Sequence, residues 1–244
     1  SKCNNLRSPL ETFNGDKKAI LKKMKIMSMR HTPSSLRKTL KIMTGTQGVS
    51  NFRPTAAYVV YRHFLPEGGL TWDMCGGYGG RLLGAIKSNV NYIATEPCKP
   101  TFDGLKGIAS DFKSSPTLFK KPSHQEILIT GSEVFVPDKN SLDLAFTSPP
   151  YFDTEKYSNE STQSYIKYPT KEKWVNGFLR NTIANCRVGL KKGKYMIINI
   201  SNVPSFKNLE EETIRVATEE GFSLEKTLLL ALSKMNGSGF KYEP

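Results

Sequence analysis

The sequence predicts an α/β protein, with a mostly parallel sheet covered by helices on both faces and a small basic helical extension in front of it. Three observations predict this. From residue 51 onward, short runs rich in Val, Ile, Leu and aromatic residues alternate with longer amphipathic stretches, the pattern of strands linked by crossover helices. The first of these runs leads into a glycine-rich turn, "DMCGGYGGR", that opens a helix, at the carboxyl edge where doubly wound sheets bind their ligands. Residues 1–50 carry 11 basic side chains against only Glu11 and Asp16, a surplus of nine. The expected boundary therefore lies between a basic extension, 1–50, and a sheet domain, 51–244.

In the extension, "KKAILKKMKIMSM" places Ile20, Met24 and Met27 on one helical stripe with lysines opposite. A second basic helix is expected from about Ser34 to Met43, capped by Ser34 or Ser35. The sheet domain starts with a helix, "TAAYVVYRHFL", whose Ala57, Val60, Tyr61 and Phe64 face inward. Strands follow in "GLTWD", "NYIATEP", "HQEILITGSEVF", "SLDLAFT", "KYMIINIS" and, sixth, "SLEKTLLLALSK". Between them run helices in "GGRLLGAI", "TFDGLKGIASDF", "KEKWVNGFLRNTIANCRVGL" and "NLEEETIRVATEEGF". Trp72 and Trp174 fit core positions. The chain stops at "GFKYEP", where a last edge strand would begin, as expected of a truncated chain.

Composition narrows the function classes. At 244 residues with 38% hydrophobic and 23% charged residues, the chain reads as soluble and globular. No apolar run approaches the roughly 20 residues that span a bilayer, and no signal-peptide core is present, so an intracellular location (cytoplasm or nucleoid), no secretion and no membrane partner are expected. Cys3, Cys75, Cys98 and Cys186 are scattered without a CxxC pair or a nearby histidine, which predicts reduced thiols and no metal. His31, His63 and His124 are isolated and are not expected to be catalytic. The net charge of +13 favours a polyanionic partner.

The glycine turn sets Asp73 at a strand end and Gly76, Gly77, Gly79 and Gly80 at a helix start. No GK[ST] follows, so it is not a phosphate loop. Glu96 ends the next strand, 16 residues after Gly80, where a carboxylate accepts from the two ribose hydroxyls of an adenosyl ligand. These two features alone point to an adenosyl cofactor without choosing among NAD, FAD, a nucleotide and S-adenosylmethionine.

The fourth strand runs into Thr147-Ser148-Pro149-Pro150-Tyr151-Phe152 on the same edge. With the glycine turn, this S-P-P-Y segment makes residues 51–244 resemble the amino-methylating DNA methyltransferases, which modify cytosine N4 or adenine N6 and have a Rossmann-like class I methyltransferase fold. The resemblance implies S-adenosylmethionine as cofactor and DNA as partner, with RNA also open. It implies that Asn51, Phe52, Arg53 and Pro54 help hold the methionine end, and that Asp73, Cys75, Gly76, Gly77 and Gly79 hold its amino and carboxylate groups. Glu96 would take the ribose, and Glu133 of "GSEVF" would sit beside the adenine. Ser148, Pro149, Pro150 and Tyr151 would form the target-base clamp, assisted by Phe152. Serine first in the motif points to cytosine N4, since aspartate or asparagine more often stands there when adenine N6 is the target. The family often has an aromatic residue near the start of the turn, where this chain has Met74 and Cys75.

About 65 residues separate the two motifs, too few for a recognition domain between them. Sequence would then be read by the segment Asp153–Thr170, by the basic arm, or barely at all, so low or short specificity is expected; in the arm, Lys17, Lys18, Lys22, Lys23, Lys25, Arg37, Lys38 and Lys41 are the candidate phosphate contacts. Rival readings are an RNA amino-methyltransferase and a catalytically silent nucleic-acid-binding module on the same scaffold.

Overall fold

The structure is a computed structural model that describes residues 9–44, 51–112, 122–154, 158 and 160–230. The chain divides into two compact units, residues 1–50 and 51–244.

The first unit is a cluster of three short helices, α1 (Pro9–Gly15), α2 (Lys17–Ile26) and α3 (Pro33–Met43). Ile20, Met24 and Leu40 are buried against one another, with Phe13, Leu36 and Met43 around them. Asp16 caps α2, its carboxylate accepting from the Ala19 amide at 2.9 Å. The cap of α3 is Thr32, two to three residues ahead of the expected serines: its Oγ1 accepts from the Ser35 amide at 3.1 Å. Pro33 explains the shift, because proline is pre-set for the first helical position and leaves the preceding residue as the cap.

The second unit is a five-stranded, all-parallel sheet in the order β3-β2-β1-β4-β5. Its strands are β1 (Leu70–Asp73), β2 (Asn91–Thr95), β3 (Gln125–Leu128), β4 (Leu142–Thr147) and β5 (Leu190–Ile198). Helices α4 (Pro54–Phe64), α5 (Gly80–Ser88) and α6 (Lys99–Asp111) cover one face, where Ala57, Tyr61, Leu82 and Leu105 bury Tyr92, Ala94, Leu144 and Phe146. The alternate residues Trp72 and Ala145 point to the other face and meet Cys186, as the two-residue period of a strand requires. That face is covered by α9 (Arg180–Gly189) and α10 (Leu209–Glu219). Trp72 and Trp174 are both fully buried.

Two expectations change. After a short α7 (Ser164–Lys167), the long helix expected from Lys171 is interrupted: α8 (Lys171–Trp174) passes into a π-helical turn, Val175–Leu179, before α9. Within that turn the ring of Tyr168 lies where a side chain at Gly177 would have to go. The sixth strand is absent over its described part, residues 223–230, which make no sheet pairing. There Leu224, Leu228 and Leu229 are 60%, 68% and 92% exposed. A strand needs a hydrogen-bonded neighbour, and β5 is a poor one at its start, where Gly193 takes φ +74° and the register with β4 breaks between Leu142 and Leu144. Residues 231–234 of the expected strand lie outside the described residues. Among the described residues no helix is long and apolar enough to cross a membrane.

Candidate active site

The carboxyl ends of β1, β2 and β4 converge on one edge, and a buried carboxylate organises it. Asp73, ending β1, has no exposed surface. Its Oδ2 accepts from Arg81 Nε at 2.8 Å and from the Tyr92 hydroxyl at 2.6 Å, and its Oδ1 from Thr147 Oγ1 at 3.0 Å. Arg81 also donates to the Cys75 carbonyl, tying the helix start to the turn. Burial alone would lower the affinity of Arg81 for its proton, but Asp73 overrides it and holds the guanidinium firmly charged. Burial and the Asp73 charge both push Tyr92 upward, so its phenol stays neutral and donates.

This corrects the expected role of Asp73. Enclosed and accepting from Arg81, Tyr92, Thr147 and the Cys75 amide, it shapes the turn from beneath instead of presenting its carboxylate to a ligand. Arg81 and Tyr92 were missed by the sequence reading. An arginine directly after the last glycine, 8 residues from an aspartate, was the available signal.

Above this network the glycine turn is closed from outside by the segment ahead of α4. Gly77 and Gly79 take φ +54° and +82°, which favours glycine. Gly80 lies directly against the Phe52 carbonyl, leaving no space for a side chain, and Asn51 Nδ2 donates to the Tyr78 carbonyl at 3.3 Å. The Phe52 ring meets Phe146 edge-on at 5.4 Å and lies under the Arg81 guanidinium at 5.5 Å. Arg53 caps α4 and Pro54 begins it. The structure therefore brings Asn51 and Phe52 against the turn, while Arg53 and Pro54 are placed only as the start of α4. Gly76 packs on Ala94 and Leu105.

Glu96, at the tip of β2, is 3% exposed and accepts from the amides of Gly77 at 3.0 Å and Cys98 at 2.9 Å. Burial pushes its carboxyl up to about 6, against the pull of those two amides. It shares one pocket with Cys75, Gly131, Glu133, Pro150 and Gln163. Glu133 is held by Lys167 at 2.8 Å. Burial, then Asp73 and Glu96, push the Cys75 thiol far up, so it lines the pocket as a neutral thiol.

A strap over this pocket had no motif to announce it. Thr162 Oγ1 donates to the Pro97 carbonyl at 3.3 Å, the Lys99 amide to Glu160 at 3.3 Å, and Lys167 reaches Glu133. Residues 160–167 thus tie together the tips of β2 and β3.

The S-P-P-Y segment leaves β4 beside the same pocket. Ser148, Pro150 and Tyr151 are partly exposed and Pro149 is buried. Ser148 and Tyr151 both bond to Asn199, the residue after β5, which the sequence reading did not single out. Phe152 is a correction. It takes φ +58° and turns inward, 8% exposed, edge-on to Trp174 at 6.0 Å and to Phe206 at 6.2 Å. It is part of the core under the S-P-P-Y segment and presents no face for stacking.

In the helical unit, Lys17, Lys18, Lys22, Lys25, Arg37 and Lys38 are exposed and Lys23 is partly so. The side chain of Lys41 lies outside the described residues.

The residues at the sheet edge fit an adenosyl group: the turn has glycines where a chain must approach closely, and the Glu96 carboxylate lines the pocket beside it. No protein-family model matches the chain, and no curated protein does. Solved structures do. The chain is similar to PH0851, at 14% identity and a TM-score of 0.50 over 72% of this chain and 38% of that one. It is also similar to magnesium protoporphyrin IX methyltransferase (ChlM) of Synechocystis PCC 6803, solved with bound SAM, at 11% identity and a TM-score of 0.50, covering 91% and 88%. The chain spans little more than a third of the length of PH0851. At such identities the likeness is one of fold, and the fold is that of Rossmann-like S-adenosylmethionine-dependent methyltransferases.

Proposed function

We propose that this chain transfers a methyl group from S-adenosylmethionine to the exocyclic amine of a base in DNA, with cytosine N4 as the target. The observation that carries the reading is the meeting of two features at one opening. Glu96 at the tip of β2 and Met74 and Cys75, just ahead of the glycines after β1, line it on one side, and Pro150 of the S-P-P-Y segment lines it from β4. The choice of DNA rests on the S-P-P-Y segment and the net charge of +13.

In this reading the Gly76–Gly80 turn holds the methionine end of the cofactor, Glu96 accepts from the ribose hydroxyls, and Glu133 lies beside the adenine. The bound cofactor supplies a methyl group on a positively charged sulfur. The remaining chemistry is positioning. An exocyclic amine is a weak nucleophile because its lone pair is delocalised into the ring. Ser148 Oγ and the Pro149 carbonyl accept its two N–H bonds and favour a pyramidal nitrogen whose lone pair points at the methyl group. Fixed dipoles and orientation would supply the rate: as the nitrogen–methyl bond forms the methyl–sulfur bond would break, leaving S-adenosylhomocysteine, and the methylated amine, now acidic, would release one proton to solvent without a strong base. The prolines hold these acceptors with little left to order. Tyr151 stacks on a base rotated out of the duplex, and the exposed lysines of α2 hold phosphates.

Incubating the protein with tritiated S-adenosylmethionine and DNA, then identifying the nucleosides by mass spectrometry, tests this. N4-methylcytosine is expected. N6-methyladenine would move the target base, and label found in RNA but not DNA would overturn the choice of substrate.

A further inference from the structure

Asn199 occupies an unusual place for a residue outside both motifs. Its own amide donates to the Thr147 carbonyl at 2.9 Å, extending the β4–β5 ladder by one residue and fixing its backbone. Its carbonyl accepts from the hydroxyls of Ser148 and Tyr151, each at 3.3 Å. Its side-chain nitrogen donates back to the same two oxygens, at 3.0 Å to Ser148 and 3.2 Å to Tyr151. Both hydrogens of the amide and both lone pairs of the carbonyl are thereby used on the two polar groups of the clamp.

The consequence follows from the inventory of a hydroxyl: one hydrogen and two acceptor positions. Ser148 gives its hydrogen to the Asn199 carbonyl and one acceptor position to the Asn199 amide. What remains for a ligand is a single lone pair. Ser148 is therefore fixed as an acceptor and cannot donate to a substrate without breaking a bond to Asn199. Such a site takes a ligand that presents N–H, as an exocyclic amine does, and disfavours one that presents only an acceptor, such as a carbonyl oxygen or an unprotonated ring nitrogen. Tyr151, tethered at its hydroxyl by the same residue, has its ring face set at the same time.

We propose that Asn199 is a positioning residue that fixes Ser148 as an acceptor and orients Tyr151, selecting amine-bearing bases. This rests on the function proposed above. It adds the residue that follows β5 to a clamp otherwise built from the end of β4.

The test is a double-mutant cycle on tritium transfer to DNA with wild type, Asn199→Ala, Ser148→Ala and the double variant. S-adenosylhomocysteine calorimetry, thermal melting and oligo(dC) binding are measured alongside. Asn199→Ala should lower kcat by about 10- to 100-fold, the scale of a misplaced reacting group. S-adenosylhomocysteine affinity and melting temperature should stay near wild type, while oligo(dC) binding weakens. Because Asn199 acts largely through Ser148, removing it from Ser148→Ala should slow the enzyme far less than removing it from wild type, the remainder reflecting Tyr151. Independent, multiplying losses would overturn the proposal, and so would a normal kcat in Asn199→Ala. Should that variant fail to fold, Asn199→Asp keeps the size and the backbone anchor but removes both N–H donors. It should lose turnover similarly, and wild-type turnover in it would overturn the proposal. A wild type that binds S-adenosylhomocysteine yet labels neither DNA nor RNA refutes the function reading and this proposal with it, an outcome distinct from multiplying losses in an active enzyme.

Discussion

The floor of the glycine turn and the rim of the S-P-P-Y clamp lie on the same sheet edge, and they are built from opposite materials. The floor is a buried ion pair, Asp73 with Arg81, closed by the hydroxyls of Tyr92 and Thr147. The rim is uncharged: two hydroxyls and an amide, all partly exposed. Charge beneath the turn fixes backbone geometry at a high cost in desolvation, which only a complete set of partners offsets. Neutral groups at the rim keep a hydrogen-bonding position open for a ligand. Lesions in the floor should therefore act on folding, and lesions in the rim on chemistry.

The largest expected effect is in the floor. Arg81→Ala leaves the Asp73 carboxylate buried without its cation and should cost about 3–5 kcal/mol of stability, as broken buried ion pairs do. Urea unfolding measures it. A loss below about 1 kcal/mol would mean that solvent reaches Asp73 and that floor and rim do not differ as described.

Next comes the rim. Ser148→Ala should reduce turnover on the order of 10²-fold, the scale of one lost preorganised hydrogen-bonding group, while melting temperature and S-adenosylhomocysteine affinity stay near wild type. Tyr151→Ala should weaken base capture by about 1–3 kcal/mol. Phe152→Ala, one residue on, should instead behave as a core truncation and cost about 3–5 kcal/mol of stability. If Phe152→Ala spared the fold and struck only DNA binding, the inward placement would be wrong.

Between floor and rim stands Glu96, with the pH dependence to match. Its folded carboxyl titrates near 6, above the ordinary 4.5. The native state therefore takes up a proton before the unfolded chain does. This contribution to stability is fully present below the ordinary value and is lost as pH rises through about 6. Ligand binding runs the other way, because the ionised carboxylate is the better acceptor for ribose hydroxyls. S-adenosylhomocysteine affinity should fall about tenfold from pH 7.5 to pH 5, and Glu96→Gln should flatten the profile. An unchanged affinity across that range in wild type would remove Glu96 from the site.

What was legible in the sequence follows the same division. Glycines with positive φ, a strand-terminal carboxylate and two prolines after a strand are local signals, and each lay where the spacing placed it. Asn199 and the strap at 160–167 owe their positions to β5 and to the β2 and β3 tips, and no local pattern encodes that. Phe152 was misread because an aromatic beside Tyr151 looks like a second stacking face. Its left-handed backbone, invisible in sequence, turns it toward Trp174. The sixth strand was expected as the next member of the strand–helix alternation, and β propensity without a paired neighbour does not make a strand.

The smallest effect expected lies in the basic arm, where each lysine acts alone and in solvent. Lys18, Lys22 and Lys25 are exposed on α2, while the apolar side of that helix, Ile20 and Met24, is buried within its own unit. Replacing one such lysine with alanine removes no packing, so stability should move by less than about 0.5 kcal/mol. If that lysine contacts a phosphate, the slope of log affinity for duplex DNA against log salt should become shallower by about 0.9, equally for every sequence tested. Cofactor affinity should not change. The triple substitution should shift the slope by roughly three times as much, because separated phosphate contacts release counterions independently. A slope that stays constant through the triple variant would return these lysines to a solvated surface.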